Sequence, residues 1–171
     1  MLKVNHRTLV ILSGLIWLVM GVFLFKLGFK LLGGAFDYID KGTLPASYPL
    51  LKKSSDFFGS LQAGITNGIV ILTAISLFIG FLKGKKVLGK TALKAIARIT
   101  AFPNPTNLTN LYSGRYYILL AGMMGLGISM NVLGIPHDIR GTIDIIIGSA
   151  LINGSVVYFR HALSMQSAVQ A

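Results

Sequence analysis

The sequence predicts an all-α integral membrane protein with four transmembrane helices, in a single membrane domain that covers residues 1–171. Three observations predict this fold class. Hydrophobic residues make up 53% of the chain and charged residues only 12%, whereas soluble proteins carry about 25% charged residues. Mean hydropathy is high, at +0.71. Four apolar segments are long enough to cross a hydrocarbon core of about 30 Å, which takes roughly 20 helical residues.

The four segments are predicted as helices because each is too long and too uniformly apolar for the strands of a membrane barrel. Their approximate ranges are 8–32, 57–82, 116–134 and 139–159. Residues 33–56 form an outer loop, and residues 83–115 form a basic loop on the other side. The first apolar run is longer than the core of a cleaved signal peptide, roughly 7–15 residues, so it is interpreted as an uncleaved span.

The distribution of charge predicts the orientation. The chain has 16 Lys and Arg, five Asp and no Glu, and its net charge is +11. Ten of the basic residues fall in the N-terminal segment, the central loop and the C-terminal segment, and none of these segments contains an acidic residue. Basic loops remain in the cytoplasm, so both termini are expected there, with the protein in the cell (inner) membrane. The same rule explains the charge without a nucleic-acid partner.

The central loop carries a regular basic pattern, because Lys86, Lys90, Lys94 and Arg98 recur every four residues. Apolar residues lie between them, namely Val87, Leu88, Leu93, Ile96 and Ile99. At helical spacing this is typical of an amphipathic helix lying on the membrane surface. Such a helix would attract anionic membrane lipid at about 1 kcal/mol per basic residue, or dock a partner protein. The alternative is a basic loop that only sets the topology.

The two halves of the chain resemble each other. Arg7–Met20 reads RTLVILSGLIWLVM and Arg115–Ile128 reads RYYILLAGMMGLGI. A second match, between residues 64–72 and 150–158, places Asn67 on Asn153. A duplication would produce two hairpins as parallel repeats about an axis along the membrane normal. Apolar helices also match by chance, so this alternative stays open.

Four polar residues within the predicted spans are candidates for a substrate pathway: Asp144, Gln62, Asn67 and Asn153. Asp144 is the only acidic residue inside a predicted span, and an ionised group at such a depth costs at least about 2–3 kcal/mol. If the repeat is a true duplication, Gln62 would be its counterpart, at similar depth. The alternatives are a structural pair between Asp144 and Arg140 and interhelical hydrogen bonds for the two asparagines.

The sequence does not name an activity. The absence of Cys excludes disulfides and thiolate metal sites, and no metal-binding, cofactor-binding or catalytic motif is recognisable. We therefore expect that the protein is not an enzyme and that it binds no metal or cofactor. Two functions remain. The first is transport or permeation of a small solute or ion by a homo-oligomer. The second is an accessory subunit of a membrane complex that docks a partner or anionic lipid through its basic loop.

Overall fold

The computed structural model describes residues 3–103, 106–107, 122, 125 and 129–170. Its elements are β1 (Lys3–Val4), α1 (His6–Gly33), a 3₁₀-helix (Phe36–Tyr38), α2 (Pro49–Phe58), α3 (Leu61–Lys83), a π-helical turn (Gly84–Leu88), α4 (Gly89–Thr100), β2 (Thr106–Asn107) and α5 (His137–Gln170). Apart from the short antiparallel pair of β1 and β2, the described chain is built from helices.

Three helical stretches are long and apolar enough to cross a membrane: His6–Tyr38, Leu61–Thr100 and His137–Met165. They correspond to the first, second and fourth predicted spans, so the predicted helical, membrane-compatible character is confirmed. Most of the third predicted span, residues 116–134, lies outside the described residues. The match of Arg7–Met20 with Arg115–Ile128 also falls largely outside them.

α1 and α5 pack against each other in antiparallel orientation along a seam of glycines. A Cβ atom placed on Gly28 would lie 2.6 Å from the carbonyl oxygen of Gly141, and one on Gly21 would lie 2.9 Å from that of Gly148. Such close approach of two backbones requires residues without side chains. The seven-residue spacing in each helix keeps these contacts on one face. As a result, the start of α1 and the end of α5 lie at the same end of the bundle.

α3 runs parallel to α5 and contacts it through small residues. Gly80 packs against Ser149 and the carbonyl of Ile146, and the next glycine, Gly84, packs against Ala150 and Asn153. The residue numbers therefore rise together along the two helices. This register fixes which parts of α1 and α3 lie at the same height on α5.

The predicted outer loop contains a helix, and the predicted second span begins later than expected. α2 starts at Pro49, whose fixed φ suits the first helical position. It ends at Gly59, which adopts a left-handed conformation with φ of 68°. Ser60 then caps α3 by accepting a hydrogen bond of 3.1 Å from the amide of Ala63. This turn interrupts the helix that the sequence predicts from residue 57.

α2 folds back along the first turns of α3 as a tight helical hairpin. Gly64 lies against the backbone of Ser55, and Gly68 lies against the side chains of Leu51 and Ser54. The hydroxyl of Ser54 also donates a 2.8 Å hydrogen bond to the carbonyl of Gly64. The two glycines of α3 therefore seat α2, whereas the glycines further along α3 seat α5.

α4 continues α3 through the π-helical turn and keeps following α5, since Leu88 lies against Gly154 and Gly89 lies near Val157. Its apolar residues enter a core that α4 shares with α1 and α5. The buried members are Leu9, Val10, Trp17, Ala92, Ile96, Ile99, Leu151, Tyr158 and Ala162. The predicted helix is present and ends at Thr100, just before the proline-containing segment. It packs alongside α5, so its apolar face is covered by protein and not by the membrane surface that the sequence pattern indicated.

Candidate functional site

Four cations form an exposed ridge along α4 and the π-helical turn before it. We call Lys86, Lys90, Lys94 and Arg98 the basic ridge, and all four are exposed. The four-residue spacing places them on one face of the helix, where like charges repel. An anionic partner would relieve this repulsion. Val87 and Leu93 also lie exposed near the ridge, although the sequence pattern assigned them to the apolar face.

The buried face of α4 fixes the direction of the basic ridge. Ala92, Ile96 and Ile99 are almost completely buried in the shared core, so the helix cannot rotate without exposing them. From Lys86 to Arg98 the ridge extends for roughly 18 Å along the helix axis. The ridge is therefore a pre-organised surface on a packed helix.

The three amide candidates, one glutamine and two asparagines, occupy different environments on α3 and α5. Gln62 and Asn67 are exposed on the first two turns of α3. Asn153 is half-buried, and its Nδ2 donates a 2.8 Å hydrogen bond to the carbonyl of Ser149. Its Cβ also lies against Gly84 of the π-helical turn. Asn153 thus belongs to the packed seam between α3 and α5.

Asp144 lies in α5 and is buried, with 2% of its surface exposed. Its Oδ2 atom has no hydrogen-bond partner among the described residues. One turn earlier, Arg140 donates a 3.0 Å hydrogen bond from Nη1 to Oδ1 of Asn131, and its buried Nε atom has no partner among the described residues. The guanidinium therefore uses one of its donors on Asn131, which lies in the segment before α5.

The packing register separates Gln62 from Asp144. Because Gly80 faces Ile146 and Ser149, Asp144 lies at the height of about one turn before Gly80 on α3. Gln62 lies roughly 20 Å further along the helix axis. The structure therefore does not bring the four pathway candidates together. Asn153 and Asp144 share α5, whereas Gln62 and Asn67 lie near the turn of the α2–α3 hairpin.

Asp138 is a buried polar residue whose role as a helix cap sequence reasoning did not predict. Its Oδ2 accepts hydrogen bonds from the amides of Leu50 at 2.6 Å and Leu51 at 3.2 Å. Its Oδ1 accepts one of 2.8 Å from the amide of Ile139. One carboxylate thus caps the start of α2 and the start of α5 together. The available signal was an acidic residue following Pro136 at a helix start.

Tyr48 joins the same cluster at the other side of the cap. Its hydroxyl donates a 3.3 Å hydrogen bond to the carbonyl of Leu31, and its ring lies 5.5 Å from that of His137, centroid to centroid. The amide of His137 donates a 2.7 Å hydrogen bond to the carbonyl of Ser47. These contacts tie the end of α1, the start of α2 and the start of α5 into one unit.

No protein-family model, curated protein or solved structure matches this chain.

Proposed function

We propose that this chain is an accessory subunit of a membrane complex and that its basic ridge binds an acidic surface on a partner protein. The observation that carries the proposal is the exposure of four cations on a helix whose opposite face is locked into the core. A basic loop that only sets the topology of the membrane spans does not require a helix packed in this way. Preorganised charge of this kind promotes association and excludes partners of the wrong charge.

The length of the ridge favours a protein partner over anionic lipid. The ridge extends for roughly 18 Å along a helix that runs alongside α5, and therefore along the axis of the bundle. Headgroup layers are about 5–7 Å thick on each side. Lipid headgroups would therefore reach only the first turn of the ridge.

The proposed topology has four spans, with the third at residues 116–134 and both termini in the cytoplasm. The antiparallel packing of α1 and α5 supports it, because it places the start of one and the end of the other at the same end of the bundle. The basic ridge emerges at that end too. In this arrangement the ridge, Arg7 and Arg160 all belong to the cytoplasmic side, as the positive-inside rule requires.

Affinity purification from native membranes in mild detergent tests this function. We expect one partner protein at a fixed stoichiometry, and at least a tenfold loss of it from the double variant Lys90→Glu/Lys94→Glu. The matched control is Lys52→Glu/Lys53→Glu, which reverses two exposed lysines on α2 at the opposite end of the bundle. Purification of the chain as a stable oligomer alone, or retention of the partner by the ridge variant, would contradict the proposal.

Transport of a small solute or ion by an oligomer is a second candidate, and one specific observation favours it. Asp144 is a buried carboxylate within an apolar helix, and its Oδ2 has no hydrogen-bond partner in the described part of the chain. Ionisable residues in such positions often mark substrate or ion pathways. Gln62 and Asn67 lie far from Asp144, so the pathway predicted from the sequence loses support. Transport is therefore the less favoured of the two functions.

Flux measurements in proteoliposomes separate the two functions. Purified wild type is compared with Asp144→Asn and Asn153→Ala for ions and small solutes. The accessory-subunit proposal expects no flux above that of empty liposomes from the chain alone. Flux in the wild type that Asp144→Asn abolishes would establish transport and reverse our preference.

A further inference from the structure

The exposed face of α4 carries apolar side chains directly beside the basic ridge. Residues four apart on an α-helix form rows that are inclined to the helix axis by about 26°, and Lys90, Lys94 and Arg98 form one such row. The adjacent row contains Leu93, three residues after Lys90, and Ala97, three residues after Lys94. Leu93 is 52% exposed, and Ala97 is exposed too. We call these two residues the apolar row.

The two rows enclose a shallow groove whose direction is fixed. Ile96 and Ile99 are buried on the opposite side of α4, so the helix holds the groove toward its surroundings. Successive positions in each row are about 6 Å apart along the helix axis. The side chain of Ala97 is a single methyl group, and small side chains at a contact allow another backbone to approach closely.

An α-helix fits this groove in a common packing geometry. When the four-residue rows of two helices interlock, their axes cross at about 50°, which is the commonest class of helix packing in globular proteins. One row of the second helix then lies between the basic ridge and the apolar row, so a single helix contacts both. The axes diverge away from the crossing point. Lys90 and Lys94, in the middle of the ridge, would therefore make the closest contacts.

The charge of the ridge specifies the side chains of the second helix. The five aspartates of the chain lie after α1, on α2 and in the first three turns of α5, whereas the ridge lies beside the second half of α5, where Leu88 packs against Gly154. The four cations therefore need an acidic complement from outside the chain. Carboxylates at the same four-residue spacing would each meet a cation and form charge-assisted hydrogen bonds.

A second copy of this chain cannot supply such a row of carboxylates. The chain contains five Asp and no Glu, and no two of the aspartates are four residues apart in the sequence. Asp138 and Asp144 are also buried within the bundle. The helix that complements the ridge must therefore belong to a different protein.

We propose that the basic ridge and the apolar row together bind an α-helix of the partner protein, and that this helix carries Asp or Glu every four residues beside a row of small or apolar residues. The inference rests on the proposed role as an accessory subunit, and it names the shape and the residue pattern of the partner. The charges attract and align the partner. The apolar row adds a requirement for shape, since a loop of equal charge would leave Leu93 and Ala97 uncovered.

The test uses two synthetic peptides of identical composition, each stapled to hold the α-helix. In the row peptide, glutamates follow one another at four-residue spacing beside a row of alanines. In the dispersed peptide, the same glutamates are distributed around the helix. Both are titrated with the full-length protein in nanodiscs of zwitterionic lipid, and binding is followed by the fluorescence anisotropy of a dye on the peptide. We expect the row peptide to bind at least tenfold more tightly.

Variants of α4 separate the contribution of charge from that of shape. Lys90→Gln/Lys94→Gln should weaken binding of the row peptide at least tenfold, and Lys90→Arg/Lys94→Arg should retain it. Ala97→Trp keeps every charge but fills the groove, so it should also weaken binding at least tenfold. The matched control is Leu163→Trp, which changes a 65% exposed residue of α5 and should retain binding. Equal binding of the two peptides, or binding that survives Ala97→Trp, would overturn the proposal.

Anionic lipid is tested as the competing ligand in the same assay. Part of the nanodisc lipid is replaced by phosphatidylglycerol, and the preference for the row peptide should persist. Loss of this preference would overturn the proposal in favour of lipid headgroups as the ligand of the ridge.

Purification from native membranes distinguishes this inference from the function on which it rests. Loss of the native partner from both Lys90→Glu/Lys94→Glu and Ala97→Trp would support both. Loss from the charge variant together with retention by Ala97→Trp would reject the helical partner and keep the acidic surface. Retention of the partner by the charge variant would reject the proposed function itself.

Discussion

Gly28 of α1 and Gly141 of α5 pack backbone to backbone, so that a Cβ atom on Gly141 would lie 2.9 Å from the carbonyl oxygen of Gly28. The reciprocal distance, from a Cβ on Gly28 to the oxygen of Gly141, would be 2.6 Å. Real Cβ atoms almost never come this close to an oxygen. The two helices would have to separate to accommodate even one methyl group, and their contact extends along most of both helices.

We therefore predict that Gly28→Ala destabilises the protein by about 1–3 kcal/mol, the range observed for overpacked cores. The loss should occur even though alanine is the better helix former by about 1 kcal/mol. Thermal unfolding in detergent, followed by circular dichroism, measures the change.

Gly33→Ala is the matched control for this prediction. Gly33 is the last residue of the same helix, and a Cβ placed on it would meet nothing within 4 Å. This variant should be neutral or slightly stabilising. Equal effects of the two substitutions would show that the close seam is not important for stability.

The carboxylate of Asp138 leads to a second prediction. It accepts hydrogen bonds from Leu50 and Leu51 on α2 and from Ile139 on α5. Removing a helix cap costs about 0.5–2 kcal/mol, and here two helices lose one. We expect Asp138→Ala to destabilise the protein by about 2–3 kcal/mol and Asp138→Asn, which keeps one oxygen acceptor, by less.

Amide hydrogen exchange provides the measurement for Asp138. Protection of Leu50 and Leu51 should fall sharply in Asp138→Ala, while the amides in the middle of α1 keep theirs. The exposed Asp56 on α2 is the control, since Asp56→Ala removes an equal charge without a cap. Unchanged protection of Leu50 would show that another group caps α2.

Local patterns in the sequence are sufficient to predict the long helices and the basic ridge. Hydropathy and length predicted α1, α3 and α5, because a helix in lipid must satisfy its backbone internally over a fixed thickness. The basic ridge followed from its spacing alone. α2 was missed because residues 33–56 contain no long apolar run, although Pro49 and Gly59 mark its ends.

Interactions between distant residues could not be predicted in this way. The cap on Leu50 comes from a residue 88 positions later in the chain, and the seven-residue spacing of Gly14, Gly21 and Gly28 acquires meaning only when α5 is placed opposite. The match of Asn67 with Asn153 implied similar depths for Gln62 and Asp144. The packing register separates these two residues, since the first turns of α3 extend beyond the end of the bundle at which α5 begins.

Tyr48 leads to a third prediction, on the dependence of stability on pH. Burial, followed by nearby Tyr38, Asp138 and Asp37, raises the pKa of the Tyr48 hydroxyl above its usual value of about 10. A group whose pKa is higher in the folded state stabilises the fold fully below its unfolded pKa and loses this contribution as the pH rises further. Stability should therefore decline above pH about 10.

The phenylalanine variant isolates the contribution of Tyr48. Tyr48→Phe removes the hydrogen bond to the carbonyl of Leu31, so it should lower stability by about 1 kcal/mol at pH 8. Its melting temperature should then fall less steeply between pH 9 and 11 than that of the wild type. Tyr38→Phe, which leaves the hydrogen bond of Tyr48 in place, is the control. Parallel curves for wild type and Tyr48→Phe would contradict the assignment.

Asp144 leads to the last prediction, which separates a structural from a functional role. Oδ2 of Asp144 is buried and has no hydrogen-bond partner within the described ranges, and such an oxygen costs stability because its lost hydration is not replaced. We expect Asp144→Asn to raise the stability of the isolated protein by about 1 kcal/mol or more, measured by thermal unfolding in detergent. Asn153→Ala, which removes a hydrogen bond to Ser149, should lower it.

A stabilising Asp144→Asn would mean that the carboxylate is retained at a cost, as functional residues often are. The same variant should then be examined for partner binding and for flux, because one of these activities should be lost. A destabilising effect of Asp144→Asn would lead to the opposite conclusion. It would show that the carboxylate has a stabilising partner in the assembled bundle, and Asp144 would then be a structural residue that holds α5 in place.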